Sequence, residues 1–133
     1  MKQSQEIAIA AQYQERANVA TEYWWSVADH PDYLAILGRE QREHMQGVAG
    51  YEEDWTDEQV GLLYAITRAA IASWDNNYFQ YVSGFMTDEA WSAYSRRMRN
   101  GCGLDGAARA IILNQPEVFR DSFVEYCLQF VQE

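Results

Sequence analysis

One lysine, Lys2, two prolines, two cysteines and two histidines are all this chain of 133 residues contains of those four types. Each scarcity excludes something. Two cysteines, Cys102 and Cys127, are too few for a disulfide framework, so reduced thiols and a cytoplasmic location are expected. Cys127 falls on an apolar helical stripe and reads as a small buried hydrophobe. Cys102, between Gly101 and Gly103, reads as a turn cysteine with nothing nearby to activate it. The two histidines, His30 and His44, never stand three residues after a glutamate. The Glu-x-x-His pairs of a di-metal carboxylate bundle are therefore missing, and no metal or cofactor is expected. Glu40 and His44 sit one turn apart and read as a solvated i, i+4 pair.

Long hydrophobic runs are absent too. No apolar stretch approaches the roughly 20 residues of a membrane span, and residues 1–6 show no signal-peptide pattern. Gly-x-Ser-x-Gly is missing, and Gly101-Cys102-Gly103 with Gly106 lacks the Gly-Lys-Ser/Thr ending of a phosphate loop. These gaps argue against an enzyme. Positive charge is sparse as well: ten Lys and Arg against twenty Asp and Glu leave a net charge of −10. Such a field repels phosphate backbones and disfavours direct nucleic-acid binding.

Present instead are aromatic residues, five Trp, nine Tyr and five Phe, within a hydrophobic fraction of 48%. Groups of that size need cover, and the length suits one domain, residues 1–133, with a proper core. The pattern is helical throughout. Residues 3–28 run without Gly or Pro along a seam of Ala10, Tyr13, Ala17, Ala20, Trp24 and Val27. Asp29-His30-Pro31 ends that helix and starts a second, with Leu34, Leu37, Gln41 and Met45 on its inner face. Thr56 to Gln59 matches a capping box. It opens a third helix striped by Val60, Leu63, Thr67, Ala70, Trp74, Tyr78 and Tyr81. Gly84 ends it, and Thr87 caps a fourth with Trp91, Tyr94 and Met98 inside. Residues 100–103 read as a turn. A short helix over 107–113 and a last one carrying Phe119, Phe123, Tyr126, Cys127 and Phe130 complete the chain. The expected fold is all-α: a four-helix-like bundle with a long N-terminal helix and one or two additional short helices.

From residue 60 to 131 the chain resembles uncharacterised bacterial helical domains of unknown function. The resemblance is carried by Asn77-Tyr78-Phe79-Gln80-Tyr81, Gly84-Phe85-Met86-Thr87-Asp88-Glu89, Trp91, Pro116, Phe119 and the aromatic tail from Phe123 to Phe130. It implies a helical fold and supplies no activity. Many such domains begin with a membrane-spanning helix, from which this chain departs.

Three functions are compatible with these features. The leading expectation is a non-enzymatic interaction protein that self-associates as a homodimer through Ala17, Ala20, Trp24 and Trp25. Adjacent indoles point about 100° apart, so one must leave the seam. The second is an acidic inhibitor or nucleic-acid mimic of phage or mobile-element type, built on Glu52, Glu53, Asp54, Asp57 and Glu58. The third is a small-ligand sensor with an aromatic pocket between helices, lined by Trp74, Tyr78 and Trp91. Arg96, Arg97 and Arg99 read as a solvated helix face.

Overall fold

A computed structural model describes residues 2–131, with side chains from Ser4 onward. Six α-helices and no strand are present among the described residues. The four long helices are α1 (Lys2–Ala28), α2 (Pro31–Met45), α3 (Asp57–Val82) and α4 (Asp88–Gly103). Two short helices, α5 (Ala107–Asn114) and α6 (Asp121–Leu128), flank a 3-10 turn at Pro116–Val118. The all-α bundle expected from periodicity is the observed fold.

Helix α3 is the axis of the molecule and touches each of the other five α-helices. Its start is built as its sequence predicts. The Thr56 hydroxyl accepts from the Gln59 amide, and the Gln59 side chain accepts from the Thr56 amide. At the other end Gly84 takes a φ of 86°, a left-handed conformation costly for any residue with a Cβ. Thr87 then caps α4 by accepting from the Ala90 amide. A single stripe understates α3, because a central helix is covered on several sides. Tyr64, Ala65, Ala69, Ile71 and Asn76 are buried besides Val60.

Two glycines set the α2–α3 spacing. A Cβ at Gly38 would overlap the Asp57 carbonyl oxygen, and one at Gly61 would overlap the Leu34 carbonyl oxygen. The helices therefore cross backbone to backbone. Below the crossing, Arg42 ties down the connecting loop: it donates to the Tyr51 hydroxyl, the Trp55 carbonyl and the Asp57 carboxylate, each at 2.9 Å. Replacing Arg42 with Met should accelerate amide exchange across residues 47–55 and leave α3 protection unchanged; equal exchange in both proteins would show that the loop holds itself.

Three sequence expectations are corrected. Residues 100–103 are not a turn but the last turn of α4. Gly101 and Gly103 serve close approach there: the Trp74 indole lies on the first and the Phe130 backbone on the second. The inner face of α4 uses Ser95 with Met98, both buried, while Tyr94 is 55% exposed. Stepping four residues from Trp91 instead of three puts a small side chain against the core. Finally, Cys102 and Cys127 are not free thiols; they form a disulfide with a Cα–Cα distance of 5.2 Å. Cys102 is buried at 1% exposure, because extending α4 turns it inward toward α6.

Candidate functional site: a groove between the first and third helices

Helix α1 lies antiparallel along α3. Tyr13 reaches Asp75, Gln14 reaches Asn76, and Trp24 packs against Tyr64. At 27 residues α1 spans about 40 Å. The join is unusually polar near the helix start. Asn76, only 5% exposed, donates to the Gln14 side chain at 2.7 Å, and Gln80 donates to the Ala10 carbonyl and the Asn76 side chain. Such pairing fixes the register of two helices whose apolar seam is thin.

Further along, small side chains leave space between the two helices. Ala17 and Ala20 on α1 and Ala72 on α3 floor a groove of about 210 Å³, walled by Trp24, Phe119 and Val118. Two charged side chains of α3 stand in it, Arg68 and Asp75. Seven residues apart, they share one helix face and are separated by about 10 Å along the axis. Arg16 is an exposed part of the lining.

The two ends differ electrostatically. Asp75 is engaged at both oxygens: Arg120 donates to one at 3.2 Å and the Tyr13 hydroxyl to the other at 3.1 Å. Phe79 and Tyr13 stack on each other at 4.2 Å, and the central carbon of the Arg120 guanidinium lies beside the pair, 4.6 and 4.9 Å from the ring centroids. Burial raises the Asp75 carboxyl pKa, and the pull of Arg120 and Tyr13 in the other direction does not cancel it. Its contribution to stability is full below the ordinary value of 3.8 and is lost as pH rises through the raised one. Burial, with the Asp75 carboxylate beside it, pushes the Tyr13 phenol up from 10.0 to about 12. The native state holds that proton more tightly than the unfolded chain does. Stability due to Tyr13 is therefore present below pH 10.0 and lost as pH rises toward about 12. Denaturant titrations across that window should show a steeper loss for the wild type than for Tyr13→Phe, and parallel curves would contradict the assignment.

Arg68 is the opposite case. Its guanidinium lies 4.7 Å from the Trp24 ring centroid and 5.2 Å from that of Phe119. It donates once, to the Tyr64 hydroxyl at 3.0 Å. That hydroxyl donates on to Gln115, which donates to Gln41, so Arg68 is anchored through a chain of hydrogen bonds to α2. No Asp or Glu pairs with it among the described residues. In a chain with twice as many acids as bases, a partly buried guanidinium without a carboxylate is conspicuous.

The residues singled out in sequence are dispersed. Ala17, Ala20 and Trp24 face α3 and line the groove, while Trp25 points outward at 53% exposure. Tyr78 and Trp91 belong to an aromatic cluster in which Trp91 stacks on Tyr81 at 4.5 Å and Tyr78 on Tyr126 at 4.7 Å. Trp74 instead lines a separate shallow recess against Gly101. In the acidic segment Asp57 is held by Arg42, whereas Glu52, Glu53 and Asp54 are exposed loop residues. His30 precedes α2 and His44 lies in its last turn.

Arg68 has a trace in the sequence: past its first turn, α3 carries one cation and one anion, Arg68 and Asp75, on the same face. Compared with family models, curated proteins and solved structures, the chain matches none. Among the described residues no helix is long and apolar enough to cross a membrane.

Proposed function

We propose that this is a non-enzymatic helical binding protein whose ligand site is the groove between α1 and α3. The observation that carries the reading is Arg68: oriented by Trp24, Phe119 and Tyr64, partly buried, and lacking a carboxylate partner at the mouth of an open groove. Preorganised polar groups on an apolar floor are the ordinary construction of a small-molecule site. A thermal-shift screen of small metabolites tests it. A ligand at 100 times its Kd stabilises the folded state by about 2.7 kcal/mol. Ala20→Leu, which fills the groove floor, should abolish any such shift. Identical shifts in both proteins would place the ligand elsewhere.

A second reading, self-association, rests on the outward side of α1. Ile7 and Trp25 are 50% and 53% exposed and lie on the same flank, five turns apart. Sedimentation across micromolar concentrations should then show dimers that Trp25→Ala weakens; a monomer throughout would exclude it. The disulfide supports an oxidising compartment in place of the cytoplasm, since thiols there are kept reduced.

A further inference from the structure

We infer that the groove takes a small organic carboxylate with a flat apolar body, its carboxylate held by Arg68. The inference rests on reading the groove as a ligand site, and names the class of ligand.

Arginine offers five N–H donors in a planar fork that matches a carboxylate. One hydrogen bond goes to Tyr64, leaving donors for a second acceptor. The rings of Trp24 and Phe119 meet the guanidinium at 4.7 and 5.2 Å from its central carbon and restrict its orientation. An anion arriving there meets a positioned donor set rather than a mobile side chain, which lowers the ordering cost of binding.

The body of the ligand follows from the floor. Ala17, Ala20 and Ala72 present methyl groups, and Trp24, Phe119 and Val118 supply the rest of the apolar lining. Polar lining groups lie beyond this apolar floor, at Arg68, Arg16, Asp75 and Tyr13. A flat hydrocarbon or aromatic body suits such a slot. Size limits it further, because about 210 Å³ falls below the ~300–1,000 Å³ typical of drug-sized ligands. A single ring with a short acid arm is the right scale, and a nucleotide is too large.

The charge follows from the surroundings. Asp75 lies about 10 Å along α3 from Arg68, and the whole chain carries a net charge of −10. A phosphate dianion would meet more of that repulsion than a monoanion. A carboxylate is thus favoured over phosphate, and an amine would have to share Asp75 with Arg120 and Tyr13, which already donate to its two oxygens.

Calorimetric titration of the full chain tests this, with phenylacetate, its neutral amide phenylacetamide and inorganic phosphate as probes. Saturable phenylacetate binding is expected, at least tenfold tighter than the amide or phosphate. Arg68→Met should remove that preference while leaving the amide's weak binding in place, and Ala20→Leu should abolish both. Should Arg68→Met fail to fold, the acid-to-amide comparison on the wild type decides alone. Equal affinity for acid and amide, or an Arg68→Met variant that binds the acid unchanged, overturns the anion assignment but leaves the groove standing. Phosphate binding as tight as phenylacetate overturns the apolar body. No saturable binding by either ring compound overturns the inference and counts against the groove itself.

Discussion

Reducing the Cys102–Cys127 disulfide should cost about 3.5 kcal/mol of stability, the loop-closure entropy for a crosslink of this span. The sequence separation is 25 residues. For a chain of this length that corresponds to a fall in Tm of roughly 10–15 °C. The physical context makes the effect concentrated. Helix α6 has only eight residues, and isolated helices below about 12 residues are marginal in water. Two things hold it against α4: the crosslink, and packing of Phe123, Val124 and Tyr126. Cutting the crosslink should therefore loosen α6 first. Urea unfolding with and without reductant measures the loss, and a Cys102→Ala/Cys127→Ala variant should match the reduced protein. Because both cysteines are buried at 1% exposure, reduction should be slow without denaturant. Coincident unfolding curves in the two redox states would refute the contribution assigned to the bond.

The second large effect belongs to the α2–α3 crossing. Gly61→Ala should destabilise by about 3 kcal/mol or more, at the upper end of overpacking penalties. The new methyl would strike the backbone carbonyl of Leu34, not the yielding tip of a side chain. Relief requires the helices to separate, which withdraws Leu34, Leu37 and Val60 from close packing, all three buried in the core. Gly38→Ala should act alike, against the Asp57 carbonyl. The two sites share one contact, so their combined loss should fall short of the sum. Gly106→Ala is the control, since a Cβ there meets nothing within 4 Å. Chemical denaturation of the three variants settles the matter: a Gly61→Ala protein as stable as Gly106→Ala would mean that the crossing is looser than described.

Much of this architecture was readable from local chemistry. Thr56 and Thr87 announced helix starts because a hydroxyl can satisfy an orphan amide, and Gly84 announced a stop because a left-handed residue was needed. The failures share a cause, which is that glycine has two uses. At Gly101 and Gly103 the absent side chain admits Trp74 and Phe130, and no local signal separates that use from a turn. Once α4 was cut short at that point, Cys102 fell on a loop and its pairing with Cys127 was lost. Likewise the alanines of α1 read as a surface for a second helix. That second helix is α3 of the same chain, an arrangement that depends on tertiary placement. The site itself had a local trace in the solitary charges of α3. Its meaning depends on tertiary placement, because Trp24 from α1 and Phe119, just after the 3-10 turn, enclose Arg68.

The separate hydrogen-bond sets of Arg68 and Arg120 divide the groove into a closed end and an available one. Arg120, Asp75 and Tyr13 hydrogen-bond one another and bind α1 to the rest of the fold, and the terminal nitrogen of Arg120 left without a partner is buried there. Arg68 is fixed in place and left with donors to spare. Diffraction from crystals soaked in phenylacetate would show which guanidinium receives the anion. The carboxylate should lie within hydrogen-bond distance of the Arg68 guanidinium, with the ring over Ala17, Ala20 and Ala72. Density for the compound elsewhere with the groove unoccupied, or a carboxylate that ignores Arg68, would contradict the account.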